Sequence, residues 1–183
     1  MTEQHRFPDL FETDELIALA RHDIESNQPG PALDKLKRVL ADAAPPAEAL
    51  ALAGRVYGQL GLFKRSQDAF RRYLALHPDA SNEQFQLAMS HYSNGELAEA
   101  QAHWDAILRV HPTYPPALYY NGLTLARQGK PMEAKRSLDI LLQSAAPDNL
   151  YAGKGKELLL SIDAGLQDSF IQSQQATRTD TFQ

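Results

Sequence analysis

The stretch Asn82–Pro112, NEQFQLAMSHYSNGELAEAQAHWDAILRVHP, decides how the rest of the chain is read. Its Ala88, Gly95, Ala100 and Trp104 all recur in kind when the sequence is displaced by 34 residues. Ala20, Gly54, Ala88 and Gly122 then align, as do Asn27, Gly61, Gly95 and Gly129. Ala32, Ser66, Ala100 and Ala134 form a third column, and Leu36, Phe70, Trp104 and Leu138 a fourth. The register holds over residues 13–148 without an insertion. One column of small residues would mean little, because small residues are common here. Columns of three chemical kinds in one register do not arise by chance.

The period and these columns resemble the tetratricopeptide repeat, a 34-residue helix–turn–helix unit. The resemblance implies an all-α fold, a right-handed superhelical solenoid of antiparallel helix pairs, with about four units at 13–46, 47–80, 81–114 and 115–148. Residues 1–12 are then an N-terminal extension and 149–163 a capping helix; 164–183, rich in Gln, Ser, Thr and Asp, is expected to be a mobile tail. In such a unit the small columns let helix backbones approach. Asn27 and the three aligned glycines end the first helix in a left-handed conformation. The large residues fill the space between helices, each worth roughly 1.5–3 kcal/mol when fully buried. Ser81 and Gln84 have the spacing of a capping box. The first unit departs most from the pattern. It has Asp23 where the family prefers an aromatic, and Gln28-Pro29-Gly30-Pro31 where the second helix should begin. The closing proline stands in place at Pro78 and Pro112 but one residue late at Pro45 and Pro147.

Composition narrows the function. With 43% hydrophobic and 22% charged residues, the chain belongs to the soluble globular class. A net charge of −5 argues against a nucleic-acid surface, which needs a local excess of Lys and Arg. The absence of cysteine excludes disulfides, thiolate catalysis and cysteine-based zinc sites. No apolar run of signal-peptide or membrane-spanning kind is present, so the expected location is cytoplasmic, with no membrane insertion.

No catalytic constellation emerges, and neither a cofactor nor a metal site is expected. Gly153-Lys154-Gly155-Lys156 superficially resembles a phosphate loop, but Glu157 stands where Ser or Thr is needed. His77 and His111 share one inter-repeat position and lack a third ligand. His103 beside Trp104, on the second helix of its unit, reads as solvent exposure or ordinary packing. Lys64, Arg65, Arg71 and Arg72 form the densest basic run, placed by helical spacing on an outer face. The main reading there is a solvated surface, and the alternative an acidic partner.

By resemblance to the family, the first helix of each unit lines a concave groove with one stripe of its residues. That stripe reads Asp14, Ile17, Arg21 and Ile24; then Glu48, Ala51, Arg55 and Gly58; then Asn82, Phe85, Met89 and Tyr92; then Pro116, Tyr119, Leu123 and Ala126, with Arg127 alongside. The candidate peptide-binding residues are therefore Ile17, Arg21, Ile24, Arg55, Phe85, Met89, Tyr92, Tyr119, Leu123 and Arg127. Tyr119 takes the groove face, and its neighbour Tyr120, 100° further round the helix, turns toward the preceding unit or its rim. The carboxylate clamp of the family's chaperone-binding branch needs Lys, Asn and Arg at set places. Ile17, Ala51, Leu52, Gln86 and Tyr120 stand there instead. The surface suits an apolar segment of a protein or peptide partner. Alternatively the chain covers it itself, with Leu166, Phe170 and Ile171 or with Phe7, Leu10 and Phe11. The expected function is a non-enzymatic adaptor or scaffold. The alternatives are a small secretion-type chaperone shielding a partly unfolded client, and self-assembly as a homo-oligomer.

Overall fold

A computed structural model describes the backbone of residues 11–180 and the side chains of residues 11–167. Within that range every regular element is a helix: α1 (Thr13–Glu25), α2 (Pro29–Val39), α3 (Ala47–Gln59), α4 (Phe63–Leu76), α5 (Ser81–Ser93), α6 (Leu97–Val110), α7 (Pro115–Arg127), α8 (Pro131–Ser144) and α9 (Leu150–Asp180). The odd-numbered helices α1 to α7 each have 13 residues and begin 34 residues apart.

The turns show why the small left-handed column is there. Asn27 (φ 55°), Gly61 (71°), Gly95 (77°) and Gly129 (74°) all take positive φ. After three of them the chain closes back on its helix in the same way. Gln28 N–H donates to Asp23 O (2.8 Å), Leu62 to Tyr57 O (2.8 Å) and Lys130 to Leu125 O (2.9 Å). This six-residue closure satisfies carbonyls that a helix end leaves without partners. The irregular start of α2 is tolerated for the complementary reason. Pro29 is its first residue, where an N–H would have no intrahelical acceptor. Asp23, in place of an aromatic, accepts a hydrogen bond from Lys35 Nζ at 2.5 Å and ties α1 to α2.

The chain divides into two compact units at Asn94–Gly95, inside the third 34-residue segment. In the first, α1 packs on α2, α2 on α3, α3 on α4 and α4 on α5, with α3 also touching α1 and α5. Its core gathers Leu16, Ile17 and Ala20 of α1, Leu33, Leu36 and Val39 of α2, and Leu52, Ala53 and Val56 of α3. In the second, α6 packs on α7, α7 on α8, and α9 on both α7 and α8. Here Leu118, Leu138 and Leu141 form the centre, flanked by Tyr119, Tyr151, Leu158 and Ile162.

All four large plugs, Leu36, Phe70, Trp104 and Leu138, are at most 1% exposed. The small columns face them at close range. A Cβ added at Gly54 would stand 2.8 Å from the Phe70 ring, and one at Gly122 would stand 2.9 Å from Leu138. Trp104 also donates its indole N–H to Thr124 Oγ1 (3.1 Å) and stacks on Tyr120 at 5.7 Å.

Two expectations are corrected. The capping box at Ser81–Gln84 does not form: α5 is capped at Ala80, so Ser81 is already its first helical residue, and Gln84 donates to Pro78 O instead. A capping box occurs at α1, where Glu12 N–H donates to Glu15 Oε2 (2.9 Å). Helix α9 does not stop at residue 163 but runs to Asp180, through residues expected to be a mobile tail. No proline follows Pro147, and Ala, Leu and Gln after Asp163 are good helix formers, so nothing breaks the helix.

Candidate functional site

The largest concentration of expected groove residues lies in the first compact unit. Arg55 and Gly58 of α3 and Met89 of α5 line one cleft of about 370 Å³, together with Gly54, Gln59, Phe63, Ser66, Phe70, Gln86, Ser90 and Ser93. The opening comes from what α3 lacks. Gly54 and Gly58 lie one turn apart on the same face and present no side chain, so the surface sinks to the level of α4. The Phe70 ring closes the bottom under Gly54.

A hydroxyl chain braces that floor. Ser66 Oγ donates to Gly54 O at 2.7 Å, and Ser66 and Ser90 Oγ atoms are also 2.7 Å apart. Ser90 Oγ also lies 3.0 Å from Gln86 O, so the two hydroxyl protons are shared among three contacts, and either serine can be the donor between the two Oγ atoms. This chain links α3, α4 and α5 through buried atoms, and Ser66 is 0% exposed. The wall chemistry is mixed: apolar from Phe63, Phe70 and Met89, uncharged polar from Gln59, Gln86 and Ser93. Arg55 is the one charged residue of the lining, exposed at the rim, with no ion-pair partner among the described residues. Among the described residues the lining holds no His, Asp, Glu, Lys or Tyr, hence no acid–base pair. Among the described residues no group of three His, Asp or Glu side chains is placed to hold a metal ion.

The remaining expected groove residues behave differently. Ile17 does not belong to the surface: it is 5% exposed within the first core. At its place on α1, the side chain is swept toward α2 and α3 instead of outward. Ile24 is half-buried against the same core. Arg21 is exposed but ion-paired with Glu48 of α3. That hydrogen bond first, and the carboxylate charge second, raise the affinity of Arg21 for its proton. Phe85 and Tyr92 are half-buried on α5 and lie outside the cleft lining. In the second unit, Tyr119 is half-buried and meets Tyr120 edge-on (5.1 Å) and Tyr151 of α9 (5.8 Å). It is therefore partly covered by the chain's own last helix. Leu123 is half-buried and Arg127 exposed. Of the segments considered for self-coverage, Phe7, Leu10 and the side chains of Phe170 and Ile171 lie outside the described residues, and Phe11 is exposed.

The residues missed by the groove stripe were Gly54, Gln59, Phe63, Ser66, Phe70, Gln86, Ser90 and Ser93. One signal for them was present: two glycines one turn apart in a helix leave a bare stripe, and a bare stripe between helices is a cleft.

Among the described residues no helix is long and apolar enough to cross a membrane. Comparison with known proteins places the fold. A tetratricopeptide-repeat family model matches residues 85–149. Cellulose synthase operon protein C of Pseudomonas fluorescens (strain SBW25) is 30% identical over 122 residues, covering 62% of this chain and 10% of that protein. The chain thus spans about a tenth of the length of that curated relative. Among solved structures, MamA (AMB-1) superposes with a TM-score of 0.71 at 17% identity, over 93% of both chains. YrrB, a TPR protein with an unusual peptide-binding site, superposes with a TM-score of 0.72 at 21% identity, over 79% of this chain and 74% of its own. Repeat register, turn conformation, plug burial and fold agree with the family match: residues 85–149 carry tetratricopeptide repeats, and the described residues have the fold of tetratricopeptide-repeat proteins.

Proposed function

We propose that this chain is a non-enzymatic protein-interaction module that takes a peptide segment of a partner in the cleft between α3, α4 and α5. The observation that carries the reading is the glycine-made cleft itself: a recess of about 370 Å³ with an aromatic floor and, at its rim, one cation that has no ion-pair partner among the described residues. An apolar side chain of the peptide fills the recess over Phe70, and a carboxylate or backbone carbonyl meets Arg55. Polar walls from Gln59, Gln86 and Ser93 serve the peptide backbone, which carries a donor and an acceptor at nearly every residue. The absence of an acid–base pair from the lining supports binding over chemistry. That YrrB, a protein of the same fold, has a peptide-binding site supports the same class of activity here.

The test is selection of random peptides from a displayed library on the purified chain, followed by calorimetry on the enriched sequences. Gly58→Leu builds a side chain into the recess, where a Cβ has only Ser66 Oγ within reach at 3.5 Å, so the fold is kept. Enriched peptides should carry an apolar anchor and bind Gly58→Leu at least tenfold more weakly. Equal binding to both proteins would place the peptide elsewhere and end this reading.

A further inference from the structure

A second cleft opens on a different face of the same helix. Leu50 and Tyr57 of α3 lie about 70° round the helix from Gly54 and Gly58, at 100° per residue, on the side turned away from Arg55 and Gln59. With Leu40 and Ala69 they floor a recess of about 410 Å³, and Lys64, Arg65 and Arg72 of α4 stand around it. Helical spacing explains the convergence: residues 64, 68 and 72 repeat every four positions, and 65 lies beside them on the same side. Arg71, the other member of the basic run, points away, toward Gln67 Oε1 (3.5 Å) and His91 Nε2 (3.4 Å). Asp68 is the one carboxylate of the lining among the described residues, so three cations there face one anion.

This sign is unusual for the molecule. The chain carries a net charge of −5, and its other basic residues include Lys35, Lys135 and Arg21, each engaged with an Asp or Glu. Arg65 and Arg72 meet no carboxylate among the described residues. Lys64 and Arg65 also sit in the first turn of α4, which has no acidic residue, although the helix dipole disfavours cations there. Helix stability therefore does not account for them. Arg65 lies over the Tyr57 ring at 5.9 Å. A stacked guanidinium gives its face to the ring and keeps its in-plane N–H donors for a planar acceptor such as a carboxylate.

We infer that this cleft docks an acidic segment of a partner protein, with one aliphatic or aromatic side chain seated over Leu40, Leu50 and Tyr57 and flanking carboxylates meeting Arg65 and Arg72. Charge complementarity selects an acidic occupant. The apolar floor selects protein over nucleic acid, because a phosphate backbone leaves such a floor unfilled while the remaining surface, with its net negative charge, repels an extended polyanion. The site is separate from the α3–α5 cleft and stands or falls independently of it.

The experiment uses fluorescence anisotropy with the full chain and a labelled peptide of about ten residues, Asp and Glu around a central Leu-Phe. The double variant Arg65→Glu/Arg72→Glu should bind at least tenfold more weakly. Arg65→Gln/Arg72→Gln gives the same reading, with a smaller loss, if charge reversal harms folding. Replacing Leu-Phe by Gly-Ser in the peptide should weaken binding at least fivefold, and oligothymidylate of equal charge should bind more weakly than the peptide. Unchanged binding by both double variants overturns the inference. So do equal binding of the Gly-Ser peptide and tighter binding of oligothymidylate. Loss of the peptide in Arg55→Glu with retention in the double variants assigns it to the other cleft and also overturns the inference.

Discussion

Replacing Gly54 and Gly58 by alanine, one at a time, separates close packing from helix propensity within a single helix. Both residues lie in α3, and glycine in a helix costs about 0.8–1 kcal/mol relative to alanine. That gain is common to both variants, slightly smaller at residue 58 near the helix end. The surroundings differ. At Gly58 the nearest atom to a new Cβ is Ser66 Oγ at 3.5 Å, an ordinary contact. At Gly54 the new Cβ meets three ring atoms of Phe70 at 2.8–2.9 Å. Normal carbon contacts need about 3.5–4 Å, so the ring must retreat by roughly 0.7 Å or more. Phe70 is 1% exposed, so its ring is held by the surrounding core. Overpacking of this kind costs about 1–3 kcal/mol. Gly58→Ala should therefore stabilise by about 0.5–1 kcal/mol, and Gly54→Ala should be neutral or destabilise by up to about 2 kcal/mol. At about 2–4 °C per kcal/mol for a chain of this length, the two Tm values should differ by about 2–12 °C. Thermal melts followed by circular dichroism, with urea titrations for the free energies, measure this directly. A cycle with Phe70→Leu adds a check, because Ala20 and Leu36 are the natural pair at the equivalent positions of the first repeat. In the Phe70→Leu background the cost of Gly54→Ala should fall by about 1 kcal/mol, within the usual range for touching residues. If Gly54→Ala stabilises as much as Gly58→Ala, the ring gives way freely and the close-approach argument is wrong.

Thr124→Val removes the acceptor of the Trp104 indole N–H at nearly constant volume and should cost about 1–3 kcal/mol, read as a lower urea midpoint by fluorescence of the single tryptophan. Gly61→Ala and Gly129→Ala place a Cβ at φ +71° and +74° and should each cost about 1–2 kcal/mol in thermal melts, whereas Asn27→Gly should be neutral or slightly stabilising. Ending the chain at Asp148 deletes α9 and uncovers Tyr119, Leu138 and Leu141; the truncated protein should bind the dye ANS strongly and lose the cooperative part of its tryptophan transition. Retained cooperativity without dye binding would show that α9 is not part of the second core.

The helical class, the turn positions and the plugs were legible in the sequence because each is enforced locally and repeatedly. A left-handed turn residue, a small residue at a close approach and a bulky residue opposite it leave the same mark every 34 positions. Ser81 illustrates the limit of local reading: the spacing of a capping box was correct, yet the helix began one residue too early for it to form. Helix α9 illustrates another, since a polar composition reads as disorder although no residue after Pro147 forbids a helix.

The candidate sites needed the tertiary structure. A helical stripe tells which residues share a face, but not how far each neighbouring helix rises beside it. Ile17 and Arg21 stand one turn apart on α1, yet one is sealed in the core and the other bonds Glu48 in solvent. Tyr119 looked like a groove residue until Tyr151, 32 positions later, was found against it. The basic run divides in the same way: Arg71 and Arg72 are adjacent in sequence, but 100° of helical rotation sends one to His91 and the other to the cleft above Tyr57. From the sequence alone came the repeat, its turns and its internal plugs, all dictated by backbone sterics and local volume. Which surfaces remain open was decided only when neighbouring helices packed, because exposure belongs to the assembled set of side chains and not to any one position.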